Sequence, residues 1–243
     1  MAKIPLLLLS GLLCDARLWR DQVADLSELA DPFVADLTLD DSFEAMARRA
    51  LARMPERFAI AALSMGGYVA FAVLRLAPER VTRLALLDTS ARPDGELQAR
   101  RRRGLMALAR GGHFRGVTPR LLPQLLHPDN LVDTALTTEV MAMAERVGRA
   151  AFIRQQAAIL NRPDSRPDLR HIAVPTLVAV GEADQLTPRD RAQEIAAGIP
   201  GAALRVLEGC GHLPPMERPA PTSGLLRQWL ASPPGAGWMQ HGA

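Results

Sequence analysis

Four short stretches of the chain are apolar almost throughout: Ile4–Leu9, Phe58–Leu63, Val81–Leu87 and residues 176–180. A strand with one face in water alternates apolar and polar residues, so a continuous run has to be covered on both faces. The segments between the runs have helical period instead. Ser42 is a good N-cap for a helix over 43–54, a second helical pattern follows residue 64 and stops at Pro78, and others cover 189–197 and 220–230. Two weaker strands are expected at 33–37, after Asp31-Pro32, and at 203–207. A strand can rejoin its neighbour in parallel only through a crossover, which is right-handed and lays its helix on a sheet face. The pattern predicts an α/β fold with a doubly wound, mostly parallel sheet.

The alternation lapses once. From Arg92 to Arg166 there is no convincing strand, only helical stretches at about 96–109, 119–126, 131–146 and 149–160. Gly111-Gly112, His127-Pro128-Asp129 and Asn161-Arg162-Pro163-Asp164 separate them. The expected organisation is a core made of 1–91 and 167–231, a helical insertion over 92–166, and a Pro/Gly-rich tail over 232–243 that reads as disordered.

Composition excludes several classes of function. The 243 residues are 48% hydrophobic, enough for one large domain, and the formal charge is only +3 with a pI near 9.5. Basic groups nearly balanced by acidic ones argue against nucleic acid as a partner, and the run Arg100–Arg103 reads as a solvated helix face. No stretch approaches the roughly 20 apolar residues of a membrane span. Leu6–Leu9 is too short for a secretion signal, and Leu12-Leu13 before Cys14 is too bulky for a lipidation site. Two cysteines, Cys14 and Cys210, build neither a disulfide framework nor a metal cluster and suit a reducing cytoplasm. With no Gly-rich phosphate loop, dinucleotide fingerprint or Cys/His metal spacing, neither a cofactor nor a metal is expected.

In a parallel sheet with right-handed crossovers, the turns after the strands open on one carboxyl edge, where ligands bind. Three such turns carry chemistry. Ala62-Leu63-Ser64-Met65-Gly66-Gly67 joins a strand to a helix, and its small residues leave room for a sharp apex at Ser64. Gly181-Glu182-Ala183-Asp184 and Gly209-Cys210-Gly211-His212 follow later strands. A serine hydroxyl is a weak nucleophile unless a base lies in hydrogen-bond reach, and the base needs a carboxylate to set its tautomer and stabilise its charged form. Ser64, His212 and Asp184 supply those types on one edge. Asp88, after the strand Val81–Leu87, is the other candidate acid, and a serine that merely caps a helix is the bland alternative.

The small-x-Ser-x-Gly turn, the chain order Ser, Asp, His, the acid loop ending Leu186-Thr187-Pro188 and the run Gly211-His212 to Glu217-Arg218-Pro219 together resemble the α/β-hydrolase family. The resemblance extends from Ile4 to Leu230. It departs at Ala62, where the commoner motif has Gly, and at Ser10-Gly11, where the family often has His-Gly. It implies a helical cap over 92–166, Ser64 as nucleophile, His212 as base and Asp184 as its acid. The oxyanion would be held by the backbone N–H groups of Leu12 and Met65, with Gly11, Gly66 and Gly67 shaping the loops. The implied activity is that of a serine hydrolase of the carboxylesterase type, cleaving a small-molecule acyl substrate. A C–C bond hydrolase, lactonase or thioesterase on the same fold is the alternative, and a non-catalytic small-ligand receptor is the reading from another class. Met106, Leu108, Phe114, Leu121, Leu125, Met141, Met143 and Phe152 suggest an apolar pocket in the cap.

Overall fold

The computed structural model describes residues 2–232. Of the tail expected over 232–243, all but Ser232 lies outside the described residues. Six strands, β1 (Ile4–Leu9), β2 (Ala30–Val34), β3 (Phe58–Leu63), β4 (Val81–Leu87), β5 (Thr176–Gly181) and β6 (Ala203–Leu207), form one sheet in the order β2-β1-β3-β4-β5-β6. Every neighbouring pair is parallel. The helices in chain order are α1 (Arg20–Asp25), α2 (Phe43–Leu51), α3 (Met65–Leu76), α4 (Glu96–Arg110), α5 (Leu122–Leu125), α6 (Thr134–Leu160), α7 (Arg189–Gly198), α8 (Pro214–Glu217) and α9 (Pro219–Ala231).

The apolar runs are buried on both faces because their alternate residues enter different cores. Leu7, Ile60 and Val180 pack with Met46 of α2, Val69 and Val73 of α3 and Ile195 of α7. Leu6, Leu8, Ala61 and Leu63 pack with Trp19, Leu226 and Trp229 on the other side. Each fully buried leucine contributes about 1.5–3 kcal/mol relative to leaving it in water. Trp19 is therefore core, with no exposed surface.

One strand lies three residues earlier than expected. β2 runs from Ala30 to Val34 and includes Asp31 and Pro32, with Pro32 opposite Leu6. A proline removes one donor from the ladder, which a central strand does not tolerate but an edge strand does, since only one of its sides is paired. The other boundaries lie close to expectation, although α5 is confined to Leu122–Leu125 within the expected 119–126.

Between β4 and β5 the described residues contain helices and no strand. α6 is two helical pieces, since Gly148 has φ 77 and ψ 174, close to the expected break between 146 and 149. These helices are not detached from the sheet. Ala158 and Ile159 join the core that holds α2 and α3, and Val140 and Met143 join the opposite one. Among the described residues no helix is long and apolar enough to cross a membrane.

Candidate active site

Ser64 is the single residue between β3 and α3, with φ 54 and ψ −113. A non-glycine residue held there costs about 1–3 kcal/mol, so its surroundings must over-determine it. They do. Its N–H donates to Leu87 O at 3.0 Å, and its own carbonyl accepts from Gly67 N at 2.9 Å and Thr89 Oγ1 at 2.7 Å. The two glycines are required by close approach. A Cβ on Gly66 would lie 2.2 Å from Leu9 O, and one on Gly67 would lie 2.3 Å from Thr89 Oγ1. Ala62 is fully buried between β1 and β4, so the methyl that replaces the commoner glycine fits in the strand.

The edge brings Ser64, His212 and Asp184 together. His212 Nε2 lies 2.9 Å from Ser64 Oγ, and His212 Nδ1 lies 2.9 Å from Asp184 Oδ1. Asp184 Oδ1 also accepts from Leu186 N at 2.8 Å and Thr187 N at 3.2 Å, and Thr187 Oγ1 donates to Oδ2 at 2.6 Å. Burial alone would raise the Asp184 pKa. The charge and hydrogen bond of His212, with the donors from Thr187 and Leu186, outweigh it and hold the carboxyl well below the usual carboxylate range.

The histidine loop is fixed from both sides. His212 N donates to Leu125 O at 2.8 Å. The Glu217 carboxylate accepts from Gly211 N at 2.9 Å and Leu213 N at 3.1 Å within the loop, and from His127 N at 2.7 Å and Asn130 Nδ2 at 2.8 Å across from it. One buried carboxylate thus ties the His212 turn to the segment around α5.

Asp88, the other candidate acid, has a different position. It is fully buried at φ 46, and its Oδ1 accepts from Gly181 N at 2.8 Å. Its Oδ2 is buried without a donor. Burial, then the negative charge of Asp184, pushes its pKa well above the ordinary carboxylate value and so favours its neutral form. The hydrogen bond to His212 belongs to Asp184. Asp88, Asp184 and His212 do bring potential ligand atoms within 4.8 Å of one another. A cation there would have to displace the bonds between Asp184 and His212.

The loop after β1 lies over the serine: a Cβ on Gly11 would be 3.0 Å from Leu63 Cδ2 and 3.5 Å from Ser64 Cβ. The N–H of Met65 belongs to the first turn of α3, where donors have no partner within the helix. Beside Leu12, Leu13 has φ 60 and donates its N–H to Gln155 Oε1 at 3.1 Å, while Gln155 Nε2 donates to Leu37 O at 3.1 Å. Gln155 was not singled out from the sequence. Its only signal is an amide pair, Gln155-Gln156, inside an otherwise apolar helix end.

Ser64 and His212 open into a cavity of about 660 Å³. Leu12, Leu121, Leu125, Met143, Phe152 and Tyr68 line it. Met106, Leu108, Phe114 and Met141, expected in the same pocket, do not: Leu108 points to solvent and Phe114 packs behind Phe152 with ring centroids 5.3 Å apart. The arginine run also departs from expectation. Arg100, Arg101 and Arg103 are exposed and Arg102 is half-buried, but Arg101 and Arg102 line the cavity. Cys14 lines the cavity too, but burial, then the nearby charge of Asp15, pushes its thiol up to about 12, which leaves it protonated at neutral pH. Cys210 is buried and its thiol is likewise pushed up, by burial and by Glu217.

The sequence model of the Alpha/beta hydrolase family matches residues 6–224. A pimeloyl-[acyl-carrier protein] methyl ester esterase of Edwardsiella ictaluri is 27% identical over 237 residues, covering 92% of each chain. A 2-hydroxy-6-oxononadienedioate/2-hydroxy-6-oxononatrienedioate hydrolase of Paraburkholderia xenovorans is 28% identical over 72% of this chain and 63% of its own length. Among solved structures, a thermophilic esterase from Thermogutta terrifontis, with malate bound, superposes with a TM-score of 0.85 at 28% identity, covering 94% of this chain and 90% of that one. These relatives are hydrolases by name, and with the family match running from β1 into α9 the chain belongs to the alpha/beta hydrolase family.

Proposed function

We propose that the protein is a serine hydrolase that cleaves a small carboxylic ester or related acyl compound through an acyl-enzyme intermediate. The reading rests on one observation: Ser64 Oγ, at a strained strand-to-helix turn, is 2.9 Å from an imidazole whose other nitrogen is 2.9 Å from a buried carboxylate. Ser64 Oγ attacks the substrate carbonyl as its proton passes to His212 Nε2. Asp184 accepts the Nδ1–H of His212, which keeps Nε2 free as base and stabilises the imidazolium. The N–H groups of Met65 and Leu12 receive the oxyanion, Met65 with the favourable field of the α3 N-terminus. The imidazolium returns the proton to the leaving alcohol. In the second half His212 takes a proton from water as it attacks the acyl carbonyl, then gives that proton to Ser64 Oγ as the acyl–oxygen bond breaks and the acid leaves.

Residues 92–166 act as a cap, since Leu121, Leu125, Met143 and Phe152 wall the cavity above Ser64. The buried free thiols suit a reducing compartment such as the cytoplasm. Esterases among the relatives support ester cleavage, with C–C bond, lactone and thioester hydrolysis as the alternatives open to the same site. Ser64→Ala is expected to lower kcat on p-nitrophenyl esters by about 10⁴-fold or more with the fold intact. Unchanged multiple turnover in that variant would refute the mechanism, and a single slow event in the wild type would indicate a receptor.

A further inference from the structure

The lining of the cavity is chemically divided. Beside its apolar residues the lining includes six arginines, Arg92, Arg101, Arg102, Arg162, Arg166 and Arg191, with Asp94 as the acidic residue among the lining groups. Four of them, Arg92, Arg102, Arg162 and Arg166, form a network. Asp94 is shared by Arg102 at 2.6 Å and Arg162 at 2.8 Å, Glu194 pairs with Arg92 at 2.8 Å and lies 4.0 Å from Arg166, and Arg166 pairs with Asp164 at 2.6 Å. Arg162 joins the two halves by donating to Arg92 O at 2.9 Å.

Two further lining cations stand outside this network. Arg101 has no acidic partner among the described residues. Arg191 has only the exposed Asp190 beside it, 3.4 Å from its Nη1, and that buried nitrogen makes no hydrogen bond. A purely apolar acyl chain would desolvate these donors and give nothing back. An anion would use them, and the fork of a guanidinium matches a carboxylate in two parallel bonds. A cavity of about 660 Å³ has room for several carbons between Ser64 and that charge.

We infer that the protein selects acyl substrates bearing a second, ionised carboxylate, which Arg101 and Arg191 bind while the scissile carbonyl lies at Ser64. The inference rests on the serine-hydrolase reading for its chemistry but not for its binding. The test compares the mono-p-nitrophenyl ester of adipic acid with p-nitrophenyl hexanoate, equal in chain length and different in charge. The wild type is expected to favour the half-ester in kcat/KM by about tenfold at low salt, the scale of one charge-assisted hydrogen bond, with the preference shrinking as salt is added. Arg101→Gln, and more fully Arg101→Gln with Arg191→Gln, should reduce that ratio to about two, mainly through KM. Arg103→Gln, on the same helix but outside the cavity, should leave the ratio alone. Calorimetric titration of the Ser64→Ala variant with the two esters reads the same selectivity as Kd without turnover. If neither ester is hydrolysed, the hydrolase reading fails while the titration still decides the subsite. Equal affinity for both esters, or a preference that survives the double substitution, overturns the inference. So does inorganic phosphate displacing the half-ester better than adipate, which would assign the arginines to phosphate compounds.

Discussion

Leu13, Ser64 and Asp88, the non-glycine residues with positive φ among those described, stand just beyond the carboxyl ends of β1, β3 and β4, three adjacent strands. Each stores about 1–3 kcal/mol of backbone strain, and each is held by a named bond: Gln155 to Leu13 N, Thr89 to Ser64 O, Asp88 Oδ1 to Gly181 N. For Asp88 the strain comes with a pH dependence whose sign is fixed. Its folded pKa is raised above the ordinary 3.8, so its contribution to stability is full below that value and erodes as pH rises toward the folded pKa. Asp184 is depressed, so its contribution is present above the ordinary value and lost as pH falls through the folded one. Asp88→Asn keeps an acceptor for Gly181 N and removes the group whose ionisation burial and Asp184 oppose. The variant is expected to match the wild type near pH 4 and to become the more stable of the two as pH rises, by up to about 1.4 kcal/mol per pH unit over the titrating range. Urea unfolding at several pH values measures this, and parallel curves for the two proteins would show that Asp88 is ionised in the folded state. None of this could be read from the residue types, because an Asp after a strand looks the same whether its carboxyl meets water or another carboxylate.

At the scale of elements, the turn at Ser64 works because α3 touches β1. Gly66 meets the backbone of Leu9, which has no flexible end to move aside, so Gly66→Ala must push the helix from the sheet. We expect a loss of about 1–3 kcal/mol, typical of overpacking, together with a fall in kcat as Ser64 shifts from His212. Gly148→Ala is the control: nothing lies within 4 Å of its Cβ position, but its φ of 77 is a glycine conformation. That change should cost a similar stability, about 1–3 kcal/mol, with kcat preserved. Chemical denaturation and ester kinetics on the two variants separate the outcomes, and full activity in Gly66→Ala would contradict the packing argument. Most elements were legible because period 2, period 3.6 and unbroken apolar runs each have a distinct cause. β2 was misplaced at Pro32 because tolerance of proline depends on being at the sheet edge, and strand order is not a local property.

For the whole molecule, the segment 92–166 reads in sequence as an insertion, yet its residues complete the core. Ala158 and Ile159 pack with α2 and α3, Gln155 holds the loop after β1, and the peptide groups of Leu125 and His127 bond to His212 and Glu217. Replacing 92–166 with a short linker is therefore expected to abolish cooperative unfolding as well as ester turnover, as thermal melts followed by circular dichroism would record. A truncated chain that melts as sharply as the parent would show that the cap is a separable domain.

The sequence by itself determined the sheet, the apex at Ser64 and the small residues around it, because periodicity, apolar runs and turn chemistry act over a few neighbouring residues. Only the tertiary structure decided that Asp184 rather than Asp88 bonds His212, that Gln155 and Glu217 brace the loops, and that two of four consecutive arginines face the cavity. Those choices depend on groups as many as 142 residues apart meeting at 3.1 Å. A side chain's local pattern says whether it is buried, while its charge state and partner are set by whatever else the fold brings beside it.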